Sequence, residues 1–295
     1  MLSLAHWHFS SAQNTKKNYK SILTSMSIKP AEDNELEVTD IIPFGIAGLD
    51  NLLCVRNGIA GLPRRRIVEV TGDFSLGKTT LCLLAVKQAQ RLGLKCLWVD
   101  SEYAWDNAWA RNIGVDLKSV HLLHERIAEE ALNEAEEGME NGNYKLVVID
   151  SIKRLVPKEV LEKDNSGAVI GAQARLVTRF VSKVGGLLSE KNICLLIIND
   201  DFPHLTTMKL IGAGGRQLAK DKSIWIRLLN AQKPIKRGEE LLGKTVKAEI
   251  RKNKLLPVER ATTELQLLSG KGFVSEDVVL PPPKKRGRAK KEEVV

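Results

Sequence analysis

Residues 66–83, RIVEVTGDFSLGKTTLCL, set an apolar run, a glycine-bounded loop and the start of a helical pattern in direct succession. Gly72 to Thr79 fits G-x-x-x-x-G-K-[ST], and the strand before it and the helix after it supply the context that motif requires. The stretch contains Gly72, Asp73, Phe74, Ser75, Leu76, Gly77, Lys78, Thr79 and Thr80. Such a loop forms a concave nest at a helix N-terminus, where amide dipoles and the helix macrodipole favour a multiply charged phosphate. Glycine at 72 and 77 lets the backbone turn and approach a ligand closely. In that arrangement Lys78 reaches the terminal phosphates and the Thr79 hydroxyl ligates Mg²⁺.

The rest of the chain reads as alternation around that loop. RIVEVTG, LKCLWVDS, YKLVVIDS and NICLLIIN are strand candidates, with helix candidates at 79–92, 125–141 and 172–190. Strands apolar on both faces and separated by helices predict an α/β fold, a mostly parallel central sheet with helices on both sides. IWIRLLNAQ and TVKAEIRKNKLL pattern as further strands after a glycine-rich loop. The expected division is an N-terminal arm over 1–40, a core over 41–275 and a disordered basic tail over 276–295.

YKLVVIDS ends with Asp150 just past a buried strand, where a carboxylate can hold the Mg²⁺ shell beside Thr79. LWVDSEYAWD brings Asp100, Glu102 and Asp106 to the same edge, and one of them is placed by topology to polarise an attacking water. Spacing alone does not choose among the three.

The net charge of +9 favours a polyanionic partner, and PPPKKRGRAKKEEVV concentrates six basic residues against two acidic ones behind three prolines. No run of 18 apolar residues occurs, so no membrane partner is expected. The first 31 residues lack Asp and Glu, but they contain no arginine and no A-x-A site, so they are not read as a cleaved signal. Cys54, Cys82, Cys96 and Cys194 form no C-x-x-C pair and read as small buried hydrophobes in a reducing compartment. His6 with His8 and His121 with His124 lack further ligands for a metal and read as surface or loop histidines.

The segments GIAGLPRRRIVEVTGDFSLGKTTL, WVDSEYAWDNAWARNIGVD, VVIDSIKRLVPKEVLE, GAQARLVTRFVSKV, GAGGRQLA and IRKNKLLP together resemble the bacterial RecA recombinase family, collinearly from about residue 40 to 275. The resemblance implies a RecA-type core that assembles as a helical filament on single-stranded DNA and binds ATP with Mg²⁺ between neighbouring subunits. It implies Glu102 as the catalytic glutamate, and Asp106 and Trp109 as adenine contacts. Lys252 and Lys254 would be the pair that reaches the γ-phosphate from the adjacent subunit. It implies two DNA loops. One, around NSGAVIGAQAR, offers Ile170 as a wedge between bases and Arg175 as a phosphate contact. The other, from about Asp200 to Gly215, ends on Gly214, Gly215 and Arg216.

Some positions depart from the family pattern. Asp200 stands where the family has a glutamine that senses the γ-phosphate, and a carboxylate facing a triphosphate repels it unless protonated or bridged by metal. Ala219 and Lys220 replace a lysine and a phenylalanine of the subunit boundary, which bears on coupling between nucleotide and DNA. The basic tail stands where the family has a further domain and an acidic tail. The expectation is a DNA-dependent ATP hydrolase of homologous recombination, DNA damage repair and the SOS response. It would act in the cytoplasm at the nucleoid of a bacterial or phage-infected cell, pair single-stranded with duplex DNA, and meet recombination mediators. The alternative is a RecA-related accessory or scaffold protein with weak ATPase activity that regulates a recombinase or recruits a repair polymerase.

Overall fold

The computed structural model describes residues 40–162, 171–203 and 210–274. The chain divides into Met1–Glu37 and Val38–Val295, and every described residue belongs to the second unit. The expected arm (apart from Asp40) and tail lie outside the described residues, as does Ile170.

A nine-stranded sheet organises the protein. In chain order its strands are β1 (Ile67–Gly72), β2 (Lys95–Asp100), β3 (Val120–His124), β4 (Tyr144–Asp150), β5 (Cys194–Ile198), β6 (Ile224–Arg237), β7 (Glu240–Asn253), β8 (Thr262–Leu268) and β9 (Gly272–Val274). The spatial order is β9-β8-β7-β6-β1-β5-β4-β2-β3. From β6 to β3 all neighbours are parallel, and β7, β8 and β9 extend the sheet antiparallel. The five main helices are α1 (Lys78–Arg91), α2 (Asn107–Ile113), α3 (Ala128–Asn141), α4 (Ala172–Lys191) and α5 (Gly215–Asp221).

The apolar strands are buried on both faces because successive side chains point to opposite sides. Val68, Val70, Cys96, Trp98, Leu146, Val148, Cys194, Leu196 and Ile198 enter one core with α1, α2 and the segment from Ile42 to Leu53. The alternate residues Ile67, Leu97, Val99, Val147, Ile149, Leu195 and Ile197 enter a second core with α3 and α4. All four cysteines are buried and unpaired, and burial pushes their thiols up, to about 12 for Cys96 and Cys194.

Several boundaries differ from the pattern read in the sequence. α3 begins at Ala128 rather than Glu125, because Ala128 donates to Val156 O and Val156 to Arg126 O, tying Arg126 and Ile127 into a parallel bridge. His121 and His124 are exposed, as surface histidines, and lie in the edge strand β3. The hairpin of β6 and β7 runs on to Arg237, with register shifts that accommodate Pro234 at a sheet position. Around the expected second DNA loop, Asp201–Pro203 pairs antiparallel with Leu210–Gly212. No helix among the described residues is long and apolar enough to cross a membrane.

One buried carboxylate organises the approach to the sheet. Asp50 accepts from the amides of Phe44 (2.7 Å), Gly45 (2.9 Å) and Ile46 (3.0 Å), shaping the turn before the short helix Ala47–Asp50. Burial pushes its carboxyl up to about 6 against the pull of those amides. The Asp50→Ala variant leaves the buried Phe44 and Ile46 amides without this acceptor, so it is expected to lose about 3 kcal/mol of stability. A lower urea midpoint at unchanged slope checks this.

Candidate nucleotide site

The β1–α1 connection is fixed by what surrounds it. Gly72 has φ 145°, and a Cβ there would lie 2.5 Å from Leu228 O on the neighbouring strand β6. Gly77 is left-handed at φ 83° and would meet the Phe273 ring at 2.9 Å. These two close approaches squeeze residues 73–76 into a loop that opens directly onto the first turn of α1, whose amides have no intrahelical acceptor. Phe74 stands on the rim, 76% exposed.

The loop borders a cleft of about 270 Å³ lined also by Glu102, Asp150, Arg154, Ile198 and Asp200. Thr79 Oγ1 donates to Asp150 Oδ2 at 2.9 Å, so the two expected metal ligands are in contact. Burial, with Glu102 and Asp100 nearby, pushes the Asp150 carboxyl up to about 7 despite the Thr79 hydrogen bond and the Lys78 charge. Lys78 Nζ folds back onto Gly72 O (2.6 Å), Asp73 O (3.2 Å) and Asp200 Oδ1 (3.0 Å). A buried, metal-poised carboxylate beside a hydroxyl, with an ammonium held by backbone carbonyls, fits Mg²⁺ and a phosphate chain.

The geometry separates the three carboxylates that spacing left together. Asp100 is buried and accepts from Ala104 N (3.2 Å) and Trp105 N (2.9 Å), while pairing with His124 at 3.1 Å. Asp106 is the N-cap of α2 and accepts from Ala108 N and Trp109 N. Glu102 lines the cleft, accepting from Ser151 Oγ at 2.7 Å with Arg154 Nε 3.8 Å away. Trp109 donates its indole N–H to Thr80 Oγ1 at 3.3 Å and packs against the core, beside the cleft rather than in its lining.

Lys252 and Lys254 lie at the other end of the sheet. Asn253 is level with Ile224, which is level with Val68 near the start of β1, whereas Gly72 ends that strand. Asn253 explains the spacing of KNK: it donates to Leu52 O and Leu53 O and accepts from Leu255 N and Leu256 N, pinning the strand end. The flanking lysines turn to the C-terminus of α5, Lys252 Nζ onto Ala219 O (2.8 Å) and Lys220 O (2.9 Å), Lys254 Nζ onto Lys220 O (2.8 Å). Burial, with Lys254 and Lys222 nearby, lowers the Lys252 ammonium to about 8.

Of the candidate DNA contacts, Arg175 pairs with Glu159 at 2.9 Å and Arg216 is exposed on the first turn of α5. Gly214 and Gly215 also serve packing. Their added Cβ atoms would meet Val177 at 3.0 Å and Ala174 at 3.1 Å, both of α4, so these glycines let α5 seat on α4.

Sequence reasoning missed the turn after β4. IDSIKR places Lys153 and Arg154 three and four residues beyond Asp150, a basic pair beside a strand-ending carboxylate that carried the signal. It also read Asp200 as repelling a triphosphate unless protonated or bridged by metal, and did not foresee cationic partners for it. In the structure Lys78 and Lys153 both bind it, at 3.0 and 2.8 Å, and their hydrogen bonds outweigh burial to hold its carboxyl below the usual value.

Beneath the cleft, Asn199 donates to Glu69 Oε1 and to Ala213 O, both at 2.8 Å, and accepts from Asp200 N. Glu69 forms a buried ion pair with Lys222, whose ammonium lies 3.7 Å from the Trp225 ring centroid.

The chain matches the family described as the RecA N-terminal domain over residues 14–274. It is 34% identical over 256 residues to the protein RecA of Bacteroides thetaiotaomicron, covering 84% of this chain and 74% of that one. It is 36% identical over 237 residues to the protein RecA of Thermus aquaticus, covering 79% and 68%. Among solved structures it is similar to the crystal structure of the RadB recombinase, with TM-score 0.60 and 21% identity over 80% of this chain and 99% of that one, a likeness of fold.

Removing one partner of the Glu69–Lys222 pair leaves an uncompensated charge in the core. Lys222→Met is expected to cost about 4 kcal/mol, and Glu69→Gln in the same chain to recover most of it. Denaturant midpoints of the two single variants and the double variant check this.

Proposed function

The chain belongs to the RecA family, and on that premise we propose that it is a DNA-dependent ATP hydrolase of recombination and repair, completed only when one copy docks head-to-tail on the next. The observation that carries the reading is the separation of the sheet's two ends. Lys78, Thr79, Glu102 and Asp150 gather at one, while Lys252 and Lys254 cap α5 at the other. A chain cannot bring its own far-end lysines to its own cleft, and a heterologous interface joins unlike ends of successive copies into a filament.

In this reading the loop from Gly72 to Thr80 binds the triphosphate of ATP, with Asp106 and Trp109 toward the base. Thr79 and Asp150 hold Mg²⁺, which supplies charge neutralisation at the phosphates. Glu102, fixed by Ser151, orients the attacking water and accepts its proton. Lys252 and Lys254 of one copy stabilise charge developing on the γ-phosphate of the next. Their grip on the last carbonyls of α5 ties that contact to the end of the second DNA loop. Single-stranded DNA is bound without sequence preference by the loops that precede α4 and α5, with Arg175 and Arg216 at their ends, and the affinity falls with salt. Strand pairing with duplex DNA, action at the nucleoid and a part in the SOS response follow from this reading.

The accessory role differs in one measurable way: turnover would not respond to DNA or to assembly. Wild-type ATP hydrolysis is expected to rise with single-stranded DNA and to fall on dilution. Lys78→Ala is expected to lose nucleotide binding, and Lys252→Ala with Lys254→Ala to keep binding while turnover drops about a hundredfold. Mixing the two inactive proteins is expected to restore part of the activity, since the second retains a working cleft and the first retains the lysines. No recovery in the mixture, with both proteins folded, overturns completion in trans.

A further inference from the structure

Asp200 sits between two ammonium groups. Its Oδ1 lies 3.0 Å from Lys78 Nζ and its Oδ2 lies 2.8 Å from Lys153 Nζ. One carboxylate therefore holds two cations apart by its own width and two hydrogen bonds, at the wall of the cleft beyond the tip of Lys78. The backbone that carries Lys153 is fixed. Gln173 of α4 donates to Ile152 O (3.0 Å), Lys153 O (2.9 Å) and Leu155 O (2.7 Å), clamping the short 3₁₀ turn Ile152–Arg154. The Lys153 side chain itself is 43% exposed, against 14% for Lys78, so it can swing on a rigid base.

We propose that Lys153 is a second cation supplied by the same chain to the terminal phosphate of a nucleoside triphosphate, and that Asp200 is the positioning residue that holds it beside Lys78. The proposal rests on the reading of the cleft as a nucleotide site and adds its discrimination between triphosphate and diphosphate. Lys78 and Asp200 alone sum to zero charge, which offers a γ-phosphate little. With Lys153 the trio carries one net positive charge. A phosphate group, with three peripheral oxygens, can take both ammonium groups while Asp200 keeps a hydrogen bond to one of them. A third phosphate meets this trio beyond Lys78 Nζ, whereas a diphosphate leaves the Asp200–Lys153 pair undisturbed. The charged pair thus makes a carboxylate compatible with a site built for polyanions.

The test is a double-variant cycle on the full chain, read as dissociation constants for ATP and for ADP. Lys153→Ala leaves Asp200 facing the γ-phosphate with only Lys78 to balance it, and is expected to weaken ATP about tenfold while ADP changes by less than about twofold. Asp200→Ala added to Lys153→Ala removes the repulsive charge and is expected to bring ATP back to within about threefold of wild type. Lys153→Arg is expected to retain the preference for ATP. Equal losses for both nucleotides, no loss in Lys153→Ala, or a double variant weaker than Lys153→Ala would each overturn the proposal while leaving the nucleotide site standing. A wild-type chain that binds neither nucleotide would overturn the site itself and this inference with it.

Discussion

Six parallel strands covered by helices on both faces leave only their ends to meet a ligand, and the chemistry of this protein is sorted by that constraint. Every parallel strand from β1 to β5 delivers its carboxyl end to the same edge, so Gly72, Asp100, Asp150 and Asn199 arrive side by side although well over a hundred residues separate the first from the last. The antiparallel β7 runs the other way and carries Lys252 to the opposite edge. The cleft and the lysine pair thus lie at opposite ends of one sheet, an arrangement that a heterologous contact between copies can join.

Within the cleft the decisive quantity is local charge. Glu102, Asp150 and Asp200 would make a poor host for a polyanion if they stood alone. Lys78 and Lys153 neutralise Asp200, Arg154 approaches Glu102, and burial raises the Asp150 carboxyl to about 7. The cations come from two different segments, α1 and the turn after β4, and the arrangement therefore depends on the β1–β5–β4 order of the sheet. The buried Glu69–Asn199–Lys222 network ties together β1, the end of β5 and the residue that caps α5.

The sequence made the phosphate loop, the alternating architecture and the strand-ending Asp150 legible because each is a local pattern: a glycine spacing, a hydrophobic period, a carboxylate after an apolar run. What it could not separate were side chains whose roles depend on which neighbour folds against them. Asp100, Glu102 and Asp106 are close in sequence, yet one is consumed by backbone amides, one caps a helix and one faces the cleft. Asp200 looked repulsive because Lys153 is 47 residues away and reaches it only across β4 and β5. That Gly214 and Gly215 also let α5 pack on α4 was not legible, because nothing local announces Val177 and Ala174 of α4 beside them. The edge strand β3 was missed for a similar reason, since VHLLH pairs on one side only and carries no long apolar run.

Two amide side chains join the cleft to the segments that flank the candidate DNA loops, and both make contacts that permit little slack. Asn199 binds Asp200 N on one side and Ala213 O on the other, so the end of β5 and the approach to α5 share one buried residue. Gln173, in the first turn of α4, holds three carbonyls around Lys153. In the proposed reading, a phosphate that engages Lys78 and Lys153 leaves Asp200 hydrogen-bonded to only one of them, so less of its charge is neutralised one residue from Asn199, and it loads a turn whose clamp is rooted in α4. Coupling between sites requires an element whose arrangement both ligands bias, and in the proposed reading that element would be the Asp200–Lys153 pair, which borders the cleft and is held through Gln173 and Asn199. A neutral side chain at 200 would leave Lys153 without the carboxylate that holds it at 2.8 Å, so in the proposed reading the two residues act as one unit.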